Sequence, residues 1–268
     1  MTGSTAVISR APVAPVLAEP SLRSAQLTQL VLGETARVLE RRDDWRKVRL
    51  AADQYEGWLH RGYLIEADVE AVEDWRKRAE GWSEGAVLDV APSGAAAGAR
   101  IKAPFRARLE LRGRTAILPD GRKAAILAGA ITPWPALVAR LKTEPLWRTA
   151  ASFFAGTPYQ WGGVTPWGVD CSGLVQTTWA SRGIALPRDS SQQAESGVAV
   201  MPGQEAIDDL LFFTESTDRI THVAIAGPDD TLVHSTVACG GFIRESWREG
   251  TRAAPLRERL VARRRLSA

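Results

Sequence analysis

The chain is poor in the residues that build disulfide frameworks and metal sites. It holds two cysteines, Cys171 and Cys239, and three histidines, His60, His222 and His234. Two thiols form neither a disulfide scaffold nor a four-ligand zinc set, so no metal or organic cofactor is expected. Charge of one sign is also scarce. The net charge is +3, with Lys, Arg, Asp and Glu interspersed, which is too mild to argue for a nucleic-acid partner. The densest basic run, Arg263-Arg264-Arg265, reads as a solvated tail. Long apolar runs are missing as well. The longest, Ala124 to Ile131, is far too short to span a bilayer, and Pro12, Pro15 and Pro20 interrupt the N-terminal stretch where a secretory signal would need 7–15 apolar residues. The reading that follows is cytoplasmic, with no membrane partner. What remains is ordinary for a globular protein: 45% hydrophobic and 24% charged residues.

Three regions separate by pattern. In residues 1–70, Val13-Leu17, Leu30-Leu32, Ala36-Leu39, Trp45-Leu50 and Gly57-Leu59 read as short strands between turns, the spacing of a small β-barrel. Residues 71–135 open on a helix already begun near Val69 and running to Ala79, with Val72, Trp75 and Ala79 on one face. A loop, Ser93 to Gly98, and a second, less regular β region follow. From 136 to 268 the pattern changes to helices followed by strands. Leu146–Ala155 is predicted as a helix stopped at Gly156, and Cys171–Arg182 as a second stopped at Gly183. Leu210-Phe213, His222-Ala226 and Leu232-Ser235 are predicted strands. Helices followed by antiparallel strands indicate an α+β domain.

The strongest local signal is Asp170-Cys171-Ser172-Gly173-Leu174-Val175. A helix starting at Cys171 places the thiol in its first turn, where the N-terminal partial charge lowers a cysteine pKa, and Asp170 sits at the favoured N-cap position. Such a nucleophile needs a base. His222 and His234 fall in one predicted hairpin, so one can serve as the base and the other can orient it. A lone buried cysteine is more often a small apolar filler. The two histidines downstream of a helix-start cysteine tip the balance towards catalysis. Cys239, in Ala238-Cys239-Gly240-Gly241, has no such context and reads as incidental.

These residues resemble the NlpC/P60 family. The resemblance runs through Thr157-Pro158-Tyr159-Gln160-Trp161-Gly162-Gly163, Asp170-Cys171-Ser172-Gly173-Leu174-Val175, Pro187-Arg188-Asp189-Ser190-Ser191-Gln192, Asp209-Leu210-Leu211-Phe212-Phe213 and Thr221-His222-Val223-Ala224-Ile225, over roughly residues 140–250. It departs at Ile207-Asp208-Asp209, where the family has Pro-Gly-Asp, a change confined to a turn. The front half resembles bacterial SH3 modules through Asp44-Trp45-Arg46-Lys47-Val48 and Gly57-Trp58-Leu59-His60-Arg61-Gly62-Tyr63-Leu64. Two such modules before the catalytic domain are similar to the YkfC-like γ-D-glutamyl-L-diamino acid endopeptidases of murein peptide recycling.

That resemblance implies a papain-like domain behind two small SH3-like barrels, with Cys171 as nucleophile, His222 as base and His234 as the third member. It implies an oxyanion contact from Tyr159, and a substrate of the form L-Ala-γ-D-Glu-diamino acid. The free amine of that peptide would be recognised by Asp189 and Ser190, with Tyr55 and Glu19 contributed by the first module, while Asp170 and Ser172, flanking the nucleophile, are further substrate-binding candidates. Tyr63 is an alternative to Tyr55, although its place is more that of a core residue. Asp170 can instead be a helix cap only, and Glu19 a solvated acid. Trp161 and Trp167 either line the cleft or pack beneath it, the second being the commoner fate of large aromatics. The diamino acid, diaminopimelate or lysine, stays open. So do a different amide substrate on the same fold and a non-catalytic, wall-binding module.

Overall fold

The computed structural model describes residues 5–96, 98–215 and 219–267. Backbone contacts divide the chain into two units, Met1–Leu137 and Val138–Ala268.

The first unit is almost entirely β. Its first sheet holds β1 Thr5–Ser9, β2 Val13–Leu17, β3 Gln26–Val31, β4 Thr35–Arg42, β5 Trp45–Leu50, β6 Glu56–His60 and β7 Leu64–Asp68, in the order β3-β2-β6-β5-β4-β1-β7. Alternation does the folding. Val16, Val48, Leu50, Leu59 and Leu64, from four of these strands, turn inward onto one core with Val7 of β1 and Leu30 of β3. β1 and β7, absent from the sequence reading, pair with each other along their full length. Helix α1, Val69–Arg78, starts where expected: the Asp68 carboxylate accepts from the Ala71 N–H at 2.8 Å. It buries Val72 and Trp75, the face that the spacing marks out.

The second sheet of this unit holds β8 Gly81–Pro92, β9 Ile101–Ala103, β10 Arg108–Arg112, β11 Thr115–Ile117 and β12 Lys123–Pro133. β10 pairs with β11, β11 with β12, β12 with β8 and β8 back to β10, so four strands close into a small ring. Of the loop expected at Ser93–Gly98, Ala97 lies outside the described residues. Val31 and Leu32 from the end of β3 enter the core of this second sheet, and the Trp75 indole donates to the Gly33 carbonyl at 2.8 Å. Buried Arg106 pairs with buried Glu34 at 2.8 Å. The two sheets are thus joined by packing and a satisfied ion pair.

Helix α2, Trp134–Leu141, crosses the boundary between the units. The second unit continues with α3 Leu146–Phe154, a hairpin of β13 Val164–Thr165 and β14 Gly168–Val169, α4 Cys171–Ala180 and the short α5 Ser190–Gln193. Then come β15 Val198–Ala199, β16 Leu210–Thr214, β17 Ile220–Gly227, β18 Thr231–Thr236, β19 Gly241–Ser246 and β20 Leu260–Arg265, an antiparallel sheet in the order β15-β20-β16-β17-β18-β19. Helix α4 packs on β17 and β18 and is buried on every side from Cys171 to Trp179. That is why its sequence shows no clean apolar stripe. It ends two residues earlier than the expected Arg182, with Gly183 at φ +81° just beyond.

One sequence expectation changes here. Arg263-Arg264-Arg265 is no tail: it lies in β20, inside the sheet, with Arg263 paired to Glu205 and Arg265 to Asp209 at 2.8 Å. Basic residues on an internal strand are tolerated because each guanidinium reaches a carboxylate or carbonyl at the sheet edge. The Ile207-Asp208-Asp209 departure also has a use. Asp208 accepts from the Leu146 N–H at 2.9 Å and the Trp147 N–H at 3.3 Å, so it caps α3 from a distance in sequence.

Candidate active site

The site is built on the start of α4 and the edge of the β17–β18–β19 ladder. Asp170 is the N-cap of α4, accepting from the Gly173 N–H at 2.7 Å. Its other oxygen accepts from the Gly162 N–H at 2.8 Å and from Arg188 at 2.6 Å. Ser172 donates to Asp170 at 3.3 Å and accepts from Arg188 at 2.7 Å. Both residues are occupied by protein partners, as the capping alternative for Asp170 requires. Arg188, 2% exposed, ties them together. A buried guanidinium is stable only with such a set of acceptors.

Cys171 is buried, 8% exposed, in the first turn of α4. The backbone N–H of Val223 donates to its sulfur, which places the thiol beside the first residues of β17 and next to His222 in the chain. Burial pushes the thiol up to about 12, the Asp170 charge adds to this, and the Val223 N–H, Arg188 and the Ser172 N–H work the other way. The sequence expectation of a lowered thiol is therefore corrected. A net rise of this size corresponds to about 4 kcal/mol, whereas a helix terminus supplies about 0.3–2 kcal/mol.

His222 Nε2 lies 2.7 Å from His234 Nδ1, so the predicted hairpin does bring the two imidazoles into hydrogen-bond contact. Burial, with the neighbouring His234 and Arg252 charges, pushes His222 down to about 3, against a weaker pull from Glu245. Thiol and imidazole are both neutral at rest, and burial disfavours either charge standing alone. Behind His234 the ladder continues: its Nε2 lies 2.9 Å from Glu245 Oε1, and Arg252 holds the same carboxylate, with Nε 3.0 Å from Oε2. Burial opposes ionisation of Glu245, but the bonds from His234 and Arg252 outweigh it and hold the carboxyl below its ordinary range.

Tyr159 is half-buried, and its N–H donates to the Gly240 carbonyl at 2.8 Å. Burial, then the charges of Cys171 and Asp170, push its phenol well above the ordinary tyrosine range, so it stays a donor. Asp189 and Ser190 open α5, half-buried, directly after Arg188. Trp161 and Trp167 are 68% and 41% exposed, so neither packs beneath the site. A cavity of about 300 Å³ is lined by Phe213, Glu215, His222, His234, Arg252 and Arg259, among others.

Tyr55 and Glu19 belong to the first unit. Tyr55 packs against the core of the first sheet, as Tyr63 does, and Glu19 is exposed. His60 is structural, its Nδ1 accepting from the Gly62 N–H at 3.2 Å. Cys239 sits half-exposed in a short turn. The sequence reading missed Glu245 and Arg252 as members of the site. The available signal was β-alternation: in a strand paired with β18, Glu245 lies diagonal to His234 across the ladder.

A helix-start cysteine beside a strand histidine, on an antiparallel sheet, defines a papain-like cysteine peptidase domain. The comparisons with known proteins agree. The NlpC/P60 family model matches residues 156–257, and the bacterial dipeptidyl-peptidase SH3 domain model matches residues 16–64. The chain carries an NlpC/P60 domain preceded by a bacterial SH3 domain.

A γ-D-glutamyl-L-lysine dipeptidyl-peptidase of Bacillus cereus is 29% identical over 230 residues, covering 78% of this chain and 66% of that protein. One of the same name from Bacillus subtilis is 37% identical over 94 residues, 34% of this chain and 31% of its own. The probable endopeptidase NlpC of Escherichia coli is 39% identical over 87 residues, 32% of this chain and 56% of its own. The chain thus spans two thirds or less of the length of these curated relatives. Among solved structures, an NlpC/P60 family protein from Bacillus cereus superposes with a TM-score of 0.80 at 21% identity, over 97% of this chain and 99% of that one. An NlpC/P60 endopeptidase from Photobacterium damselae subsp. piscicida gives 0.63 at 15% identity, over 87% and 61%. At these identities the likeness is one of fold. In neither unit is any helix, among the described residues, long and apolar enough to cross a membrane.

Proposed function

We propose that this protein is a cysteine endopeptidase that hydrolyses the γ-D-glutamyl-L-diamino acid bond in peptidoglycan-derived peptides with a free N-terminal L-alanine. The observation that carries the peptidase part is the thiol at the start of α4, bonded by the Val223 N–H, beside the hydrogen-bonded His222–His234 pair. The named activity of the Bacillus relatives supports the bond class.

The chemistry follows from the neutral resting pair. His222 takes the Cys171 proton as the sulfur attacks the γ-carbonyl, so the carbonyl electron pair moves to oxygen and imidazolium and oxyanion arise together with offsetting charges. The oxyanion is received by the Cys171 N–H and the Tyr159 hydroxyl; loss of one such donor typically costs about 10²–10³ in rate. His222 then protonates the departing amine of the diamino acid. Water, deprotonated by the same imidazole, hydrolyses the thioester and restores the thiol.

On this reading Asp189 and Ser190 meet the free amine, and Asp170, Ser172 and Arg188 fix the floor beside the nucleophile. The resemblance further assigns Tyr55 and Glu19 to amine recognition. It divides the chain into SH3-like modules at 1–70 and 71–135 and a catalytic domain at 136–268. Selection for a free amine suits released wall fragments, and so a recycling role in the cytoplasm.

The test incubates the protein with L-Ala-γ-D-Glu-diamino acid tripeptides carrying lysine or diaminopimelate, their N-acetylated forms and intact peptidoglycan. Cleavage of the free tripeptide alone, abolished by Cys171→Ala, is expected. Equal cleavage of the acetylated forms would remove amine recognition from the account. Cleavage of none of them would leave a different amide substrate or a non-catalytic role.

A further inference from the structure

We propose that Glu245, clamped by Arg252, is a positioning residue that fixes the tautomers of both site histidines through one unbroken chain of hydrogen bonds. The proposal rests on the peptidase reading above.

An ionised carboxylate only accepts hydrogen bonds. Arg252 can only donate, and it bonds both Glu245 oxygens, so the carboxylate stays charged and cannot rotate away. Glu245 Oε1, 2.9 Å from His234 Nε2, therefore demands a proton on that nitrogen. In a neutral imidazole this leaves His234 Nδ1 bare, an acceptor. Nδ1 lies 2.7 Å from His222 Nε2, which must then carry the proton of that contact. His222 in turn is left with a bare Nδ1 as the nitrogen available to a thiol. One acceptor-only group, two residues removed from the base, thus selects the tautomer in which the base can work.

Without the carboxylate the order is free to reverse. His234 could carry its proton on Nδ1 and donate to His222 Nε2, placing the His222 proton on Nδ1, where it blocks proton transfer from sulfur. Burial makes the choice consequential, because the His234–Glu245 contact is largely shielded from solvent: His234 is 1% exposed and the Glu245 side chain 12%. Among the described residues, the other charged or titratable groups nearby include the Cys239 thiol, beside Arg252, and Glu215 and Arg259 in the adjoining cavity.

The test compares full-length wild type with Glu245→Gln and Glu245→Leu, each checked for an unchanged melting curve. Imidazole ¹⁵N spectra report the tautomers directly, and alkylation of the Cys171 peptide by iodoacetamide, followed by mass spectrometry, reports base function without any substrate. In wild type both Nε2 atoms should be protonated. In Glu245→Gln, whose amide can accept or donate, mixed tautomers are expected with about tenfold slower turnover. In Glu245→Leu alkylation should fall further, with kcat lower by about 10² and KM within about threefold. A folded Glu245→Gln with the wild-type tautomers and alkylation rate overturns the proposal, whether or not Glu245→Leu folds. Failure of wild type to cleave any tripeptide defeats the peptidase reading instead, while the spectra and alkylation still decide this one.

Discussion

At the scale of single residues, the site is a set of buried and half-buried groups whose charges are disfavoured unless paired. Cys171 held up to about 12 and His222 held down to about 3 mean that the resting protein has no thiolate at neutral pH. Absorbance near 240 nm should show none at pH 7 and a thiolate only in strong alkali; a clear signal at pH 7 would contradict the neutral pair. The same shift of His222 links to stability. Its folded value lies below the ordinary histidine value of 6.5, so between those values the unfolded chain binds the extra proton and stability falls as pH drops from about 6.5 towards 3. His222→Ala should flatten that loss in urea titrations at pH 4 and 7, since the variant has no proton to gain. Arg188 illustrates the cost of breaking a buried pair. Arg188→Met leaves Asp170 and Ser172 buried without their cation, and destabilisation of about 3–5 kcal/mol is expected by denaturant titration.

At the scale of elements, α4 decides where the thiol stands. Gly173 lies in its first turn, where helix propensity alone favours alanine by about 1 kcal/mol. A Cβ there would meet the Gly163 carbonyl oxygen at 2.1 Å, a clash with backbone that cannot swing aside. Overpacking of this kind costs about 1–3 kcal/mol, so Gly173→Ala should lower the melting temperature despite the better helix former. A rise would show that the 160–163 turn yields. Much at this scale was legible beforehand. Val72 and Trp75 fixed the buried face of α1, and Gly156 and Gly183 marked where α3 and α4 stop. The strands β19 and β20 were not legible. Gly241–Ser246 and Leu260–Arg265 carry charged residues among few apolar ones, and their place comes from pairing with β18 and β16 rather than from any internal period.

At the scale of the whole molecule, each unit owns its hydrophobic cores. Val7, Val48 and Leu59 belong to one in the first unit; Phe213, Ala224 and Trp247 belong to one in the second. Residues 138–268 should therefore fold on their own, with a cooperative melt and wild-type alkylation of Cys171. If Tyr55 and Glu19 recognise the free amine, this fragment should lose discrimination between free and acetylated tripeptide, and Tyr55→Phe with Glu19→Gln in the full chain should do the same. Undiminished discrimination in both would confine recognition to the second unit.

The sequence by itself determined the local setting of Cys171 and of the two histidines. A cap acid, a cysteine and a small-residue turn in consecutive positions specify a helix start whatever surrounds it, and two histidines twelve apart across an Asp-rich turn specify a hairpin. These are local facts, and local chemistry reports them. Only the tertiary structure decided the charge state of that cysteine, because burial and Asp170 outweigh the helix end. Only the tertiary structure brought Glu245 and Arg252 behind His234, since a cross-strand register joins residues that no spacing along the chain connects.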